Sequence, residues 1–272
     1  MSDHKIDMIG GEHAVLLIHG LTGSPFEMKY LARQLNRAGF TVSGPCLAGH
    51  GTTLGDLKKT RWQDWYGTVQ DTFKELKRKH ATVSVAGLCM GALLALKLSA
   101  DLEEEVSAVS LISTTFFYDG WGLPWYKFLL PFTYFTPACH IYSFKEREPY
   151  GIKNEALRAR IVEGMRDSSI AHESVPGVSM RELYRLINVV RKDVIARVTT
   201  PTLIVHSKED DLASVKNAIY VRNHINSTSV RMVLLDDCYH MVPIDNQRGV
   251  AADEIVHFFK GQAYGEHHSF RP

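Results

Sequence analysis

The stretch Val83-Ser84-Val85-Ala86-Gly87-Leu88-Cys89-Met90-Gly91-Ala92-Leu93-Leu94-Ala95 constrains this chain more than any other. A β-rich run ends at Gly87, and an Ala- and Leu-rich helix former begins after Gly91. A strand can turn at once into a helix only where no Cβ stands in the way, and the two glycines remove it. The junction reads G-x-C-x-G, the pattern of a nucleophile elbow with Cys where Ser is usual. Such a turn lifts residue 89 clear of the backbone, over a helix N-terminus whose partial positive charge favours a thiolate. The bland alternative is a buried strand-to-helix join, because Cys is among the residues most often found as inert core. The choice depends on whether the chain supplies partners for a nucleophile.

The surrounding sequence is that of an α/β protein. Ala14 to Ile18 is a continuous apolar run, which predicts a strand buried on both faces of a parallel sheet. His19-Gly20-Leu21-Thr22-Gly23-Ser24-Pro25 follows, with Ser24 as N-cap, Pro25 at the first helical position and Glu27 completing a capping box. The helix runs through Leu31 and Leu35 to a stop at Gly39. Phe40 to Ser43 is a short strand, leading into the Gly44–Gly51 loop. Trp62 to Lys79 is a helix with Trp65, Val69, Phe73 and Leu76 on its buried stripe. Val106 to Ile112 is the strand after the elbow helix.

The βα rhythm then stops from about Thr114 to about Arg197. Ten of the 27 aromatic residues lie between Phe116 and Phe135, with Pro124 and Pro131 among them. No sheet strand has that composition, and Asp119 and Lys127 argue against a membrane span. Helices over Asn154–Met165 and Ser179–Val190 complete the block, which reads as a cap inserted over the carboxyl edge of the sheet. Strands at Pro201–His206 and Val230–Leu235, and helices at Val215–His224 and Gly249–Phe259, restore the rhythm. The tail from Gly261 to Pro272 reads as frayed. The expected division is a core of residues 1–113 and 198–272 and a cap of 114–197.

Composition narrows the partners. A net charge of +1 over 272 residues offers no electrostatic case for nucleic acid or acidic membrane. The first residues lack an apolar signal core, so cytoplasmic localisation is expected, with Cys46, Cys89, Cys139 and Cys238 as free thiols. The 13 His residues form no metal-binding spacing, and no cofactor motif is present.

An acyl-transfer site needs a nucleophile, a base, a group that orients the base, and an oxyanion hole. Cys89, Asp210 or Asp211, and His240 each follow a predicted strand, so all can converge on one edge of the sheet. Together, His19-Gly20-Leu21-Thr22-Gly23, Gly44-Pro45 with Gly49-His50-Gly51, the elbow, Glu209-Asp210 and Tyr239-His240-Met241 resemble the bacterial carboxylesterase and monoacylglycerol lipase group of α/β-hydrolases. The resemblance covers the core, while the cap matches only in position. It implies an α/β-hydrolase fold, a mostly parallel sheet flanked by helices, with a nucleophile–acid–His order in the chain. It further implies Asp210 as the acid, His240 as the base, and an oxyanion hole from the amides of Leu21 and Met90. Asp211 is the alternative acid. His19 reads as shaping the oxyanion loop, and His50 as a turn residue between glycines. Cys238 is expected to point away from the site.

The resemblance implies a Ser nucleophile, and Cys89 departs from it. A thiol, with an ordinary pKa of about 8.5, needs less activation than a hydroxyl. A thiolate is also the better leaving group, so attack on an alkyl ester reverts more readily, whereas thioester exchange is nearly balanced. The leading expectation is therefore hydrolysis of acyl esters with an apolar acyl chain, through an acyl-enzyme on Cys89. The alternative is a Cys-dependent acyltransferase or thioesterase fed by an acyl-carrier thioester, and a third reading is a non-catalytic binding protein on a hydrolase fold. An introduced Ser→Cys replacement is the dull explanation of the same residue.

Overall fold

The computed structural model describes residues 5–145, 147–166 and 174–263. Its strands are β1 (Ile6–Met8), β2 (His13–Ile18), β3 (Thr41–Gly44), β4 (Thr82–Leu88), β5 (Val109–Ile112), β6 (Ser143–Lys145), β7 (Ser174–Pro176), β8 (Thr202–Ser207) and β9 (Val230–Leu235). Seven of them form one sheet in the order β1-β3-β2-β4-β5-β8-β9, while β6 and β7 pair separately. Every pairing in the large sheet is parallel except that of β1 with β3. β2 shows why its sequence is apolar from Ala14 to Ile18. Ala14, Leu16 and Ile18 pack into one core cluster and Val15 and Leu17 into the other, and all are buried.

The helices are α1 (Lys29–Arg37), α2 (Leu54–Lys59), α3 (Trp62–Lys79), α4 (Met90–Leu102), α5 (Leu130–Tyr134), α6 (Glu155–Arg166), α7 (Gly177–Val189), α8 (Lys216–His224) and α9 (Arg248–Ala263). The expected core elements are all present. α9 continues through Gly261 to Ala263 where fraying was expected, and residues 264–272 lie outside the described residues. The sequence reading missed β1, α2 and the β6–β7 pair. Each is three to six residues long, too short for a period to register.

Residues 114–197 leave the large sheet between β5 and β8, but their last third is not a separate layer. Leu183, Leu186 and Ile187 of α7, with Val190 and Val194 beyond it, share one apolar cluster with Trp65, Phe73 and Leu94. The apolar stripe of α7 needs a surface to cover it, and α3 and α4 supply that surface.

The sheet meets α4 at a point of close backbone approach. A Cβ on Gly87 would lie 2.2 Å from Gly91 O, and one on Gly91 would lie 2.3 Å from Ile18 O. Gly67, within α3, has open space around its Cβ position. Gly87→Ala is therefore expected to cost more than about 3 kcal/mol through forced backbone movement. Gly67→Ala is expected to stabilise by about 0.5–1 kcal/mol through the unfolded chain and helix propensity. Urea unfolding midpoints of the two variants check both signs.

Candidate active site

Cys89 sits at the tip of the β4–α4 turn with φ 54° and ψ −113°. This is sparsely populated space for a residue with a Cβ, and it is held by the surrounding structure. The Cys89 N–H donates to Ile112 O (2.9 Å), and the Ala92 N–H donates to Cys89 O (3.1 Å). Thr22, Ser113 and Asp237, at the same edge of the sheet, also have positive φ of 63°, 47° and 52°. Four of the six non-glycine residues with positive φ among the described residues thus follow the ends of β2, β4, β5 and β9, the other two being Glu103 and Tyr150.

His240 is buried in the loop after β9, and its Nδ1–H donates to the Asp210 carboxylate at 2.8 and 3.0 Å. Asp210 follows β8, and its Oδ1 also accepts from Leu212 N (2.9 Å) and Ala213 N (2.8 Å). Burial opposes ionisation of both side chains. Their mutual attraction prevails, holding the imidazolium of His240 well above its usual range and the Asp210 carboxyl below its own. The thiol of Cys89 adds to the upward shift on His240. No aligned hydrogen bond joins the two, since the Cys89 sulfur instead contacts Thr115 Oγ1 at 3.4 Å and His240 Nε2 is buried without a partner among the described residues. Hydrogen bonds of this kind are often loose until substrate arrives.

The structure separates the two aspartates that the sequence left open. Asp211 accepts from backbone instead of the ring, taking His240 N–H on Oδ1 (3.3 Å) and Gly151 N–H on Oδ2 (3.2 Å). Burial pushes its carboxyl upward. The same loop is tied to the inserted segment by Asp245. Its Oδ2 accepts from Tyr239 N (2.8 Å) and Lys153 N (2.8 Å), and its Oδ1 accepts from Asn154 N (2.9 Å).

Leu21 lines the same cavity as Cys89. Met90 opens α4, so its N–H has no acceptor within the helix. The loop before Leu21 is braced from both sides. Gly20 N–H donates to Glu27 Oε2 (3.1 Å), so this carboxylate reaches further back than a capping box requires. Leu47 N–H donates to His19 Nε2 (3.1 Å), which leaves the proton on Nδ1 to bond Gly20 O (2.9 Å). Burial, reinforced by His50, lowers the His19 pKa to about 3, so the ring is a neutral structural strut. His50 stands between Gly49 and Gly51, both at positive φ, with its ring against His19 and Trp65. Cys238 is buried in the core as expected, and burial pushes its thiol up to about 12.

Cys89, His240, Leu21 and Thr22 open into a cavity of about 480 Å³ whose far walls come from the inserted segment. Its lining includes Tyr118, Tyr134, Phe144 and Tyr184, which belong to one apolar cluster, and Ile152, Ile161 and Ile244, which belong to another. Three supporting residues escaped the sequence reading: Thr115 beside the sulfur, Asp245 behind the His240 loop, and His206. The buried His206 Nε2 donates to Ala213 O (2.7 Å) and lies 3.5 Å from Asp210 Oδ2. None belongs to a motif, and their role exists only once distant segments meet. Among the described residues no cluster of His, Cys, Asp and Glu could hold a metal ion, and no helix is long and apolar enough to cross a membrane.

A parallel sheet with an elbow in mid-sheet, and an acid and a His on later strand ends, is the arrangement of an α/β-hydrolase. A family model described as Serine aminopeptidase, S33, matches residues 11–247, and the chain belongs to that family. A thermostable monoacylglycerol lipase of Bacillus sp. (strain H-257) is 28% identical over 253 residues, spanning 93% of this chain and 92% of the lipase. A carboxylesterase of Bacillus subtilis (strain 168) is 24% identical over 259 residues, 92% of this chain and 94% of the esterase. Among solved structures, a metagenome-derived lipolytic enzyme superposes with a TM-score of 0.81 at 25% identity, covering 94% of this chain and 97% of that one. The monoacylglycerol lipase of Paleococcus ferrophilus has a TM-score of 0.80 at 17% identity, covering 96% and 100%, and bears on the fold alone. The chain is thus an α/β-hydrolase of the carboxylesterase and monoacylglycerol lipase group. The family description names a serine enzyme, and this chain carries Cys89 at the elbow.

The geometry makes reactivity at the four thiols unequal. Iodoacetamide at neutral pH is expected to label Cys89 faster than Cys46 or Cys139, read by peptide mass mapping. Equal rates would remove the case for an activated thiol. Asp210→Asn deletes the charge that holds the imidazolium, so the His240 pKa is expected to fall, followed by the pH dependence of its C2–H proton resonance. The stability that the raised His240 pKa contributes is fully present below about pH 6.5 and is lost as the pH rises through the elevated value, whereas that from the lowered Asp210 carboxyl is fully present above about pH 3.9 and is lost as the pH falls through its depressed value. Asp211→Asn is expected to leave the His240 pKa raised.

Proposed function

We propose that this chain is a carboxylic ester hydrolase that works through an acyl-enzyme on Cys89. His240 accepts the thiol proton at Nε2, and Asp210 holds the ring with Nδ1–H directed at its carboxylate. The sulfur attacks the ester carbonyl, and the amides of Leu21 and Met90 stabilise the oxyanion. As the tetrahedral intermediate collapses, the C–O bond breaks and the leaving alcohol takes the proton from His240. Water, deprotonated by the same ring, then cleaves the thioester and regenerates the thiol. The insertion of residues 114–197 supplies the cap over the acyl group, and the apolar walls of the cavity suit an apolar acyl ester. The observation that carries this reading is the bond of His240 to Asp210 at 2.8 Å beside Cys89 on a strained elbow. The names of the two Bacillus relatives support an ester or acylglycerol substrate.

The sulfur itself favours a second reading. A thioester intermediate exchanges readily with other thiols and amines, so a Cys enzyme in this fold can pass the acyl group to an acceptor other than water. Transfer from an acyl thioester is that second reading, and the nature of the product separates it from hydrolysis.

Incubation with a p-nitrophenyl ester is expected to add the mass of the acyl group to the peptide containing Cys89. Hydroxylamine should remove it, as befits a thioester. Cys89→Ala and His240→Ala are each expected to lower kcat/KM by about 10³-fold or more, Asp210→Asn by about 10³–10⁴-fold, and Asp211→Asn by far less. An unmodified Cys89 peptide under turnover would sink the mechanism. Added alcohol or amine should not divert the product from free acid if hydrolysis is the native reaction.

A further inference from the structure

The cap side of the cavity carries a chemistry that an alkyl chain does not use. Tyr134 is 3% exposed and lines the cavity with Tyr184, their ring centroids 5.3 Å apart. Tyr118 lies 6.0 Å from Tyr184, and Phe144 lies 5.1 Å from Tyr134, both centroid to centroid. These rings form a connected aromatic wall. Among the described residues the hydroxyls of Tyr134 and Tyr184 have no hydrogen-bond partner. Burial raises both phenols, Tyr184 to about 12, and the hydroxyls of Tyr184 and Tyr142 raise Tyr134 further, so the three oxygens lie in one neighbourhood.

Phe at 134 and 184 would pack these walls equally well. Both residues line the cavity, and a hydroxyl there that no protein group engages is available to bond a ligand oxygen. A site that offers hydrogen bonds to a substrate oxygen also rejects the analogue lacking that oxygen, whereas a purely apolar pocket discriminates weakly. Ile152, Ile161 and Ile244 also line the cavity, so a flat ring entering it has both aliphatic side chains and aromatic rings to pack against. Aromatic rings stack on such surfaces in offset or edge-on contact and lose little conformational freedom in doing so.

We propose that the cavity above Cys89 is selective for an acyl group bearing a hydroxylated aromatic ring, with the hydroxyls of Tyr134 and Tyr184 as the specificity-determining contacts. The inference rests on the reading of Cys89 as the acyl-accepting residue, and its test includes a measurement independent of turnover. Calorimetry would compare 4-hydroxycinnamic, cinnamic and octanoic acids as ligands of the whole chain. The hydroxylated acid is expected to bind at least about tenfold more tightly than cinnamic acid. Tyr134→Phe and Tyr184→Phe are each expected to shrink that ratio to about threefold or less. Their melting temperatures should stay level or rise, since no protein hydrogen bond is lost. The kcat/KM ratio of the corresponding p-nitrophenyl esters should follow the same order.

Equal or tighter binding of cinnamic or octanoic acid would overturn the proposal, as would a ratio that survives both substitutions. No binding of the hydroxylated acid at millimolar concentration would also overturn it. Turnover of p-nitrophenyl acetate without any hydroxyaryl preference would leave the Cys89 chemistry standing and remove this selectivity. Tyrosine-dependent binding without turnover of any ester would support the selectivity and remove the Cys89 reading.

Discussion

The close approach of three backbone segments at the head of α4 underlies the rest of this structure. Gly91 lies against the carbonyls of Ile18 and His19, and Gly87 against the carbonyl of Gly91. No side chain beyond hydrogen fits at either place. Because the segments touch, β2 and β4 deliver their carboxyl ends to one point. Leu21 lines the same cavity as Cys89 for that reason. The strain at Cys89 is sustained by the parallel sheet, whose central strands are buried on both faces and cannot relax around it.

A second set of constraints ties the site to the inserted segment. Asp211 and Asp245 spend their carboxylate oxygens on backbone N–H groups of both the His240 loop and residues 151–154. Lys153 adds an ion pair to Glu209 (2.8 Å) and another to Asp237 (3.1 Å) at the partly exposed rim. Partly exposed pairs of this kind contribute little energy, about 0–1 kcal/mol each. The buried carboxylate-to-amide bonds are the stronger element, because a buried N–H left unpaired is costly. The walls of the cavity and the position of His240 therefore depend on the same few acidic residues.

Cys89 changes the balance of the chemistry without changing the scaffold. The elbow, and a His bonded to an acid at the strand ends, sit on the scaffold of the family to which the chain belongs. A thiol needs less help to ionise than a hydroxyl, and under the proposed mechanism the intermediate is a thioester that other nucleophiles can open. Under that mechanism the competition between water and another acceptor is decided by access to the cavity, more than by the three residues around the sulfur.

The sequence by itself determined the elements whose cause is local. Periodicity located the central strands and the long helices, because a doubly buried strand is apolar at most positions and a surface helix on one stripe. The glycines around Cys89 announced the elbow, and the order Cys89, Asp210, His240 announced a convergent edge. Short elements such as β1 and α2 left too few residues for a period to register. Only the tertiary structure decided between Asp210 and Asp211, because adjacent residues at a strand end point in different directions and the ring they face lies some thirty residues away. It also decided that α7 packs with the core, and that Thr115, His206 and Asp245 stand behind the site. Hydrophobic pattern is written along the chain, whereas those contacts join residues that the chain itself keeps far apart.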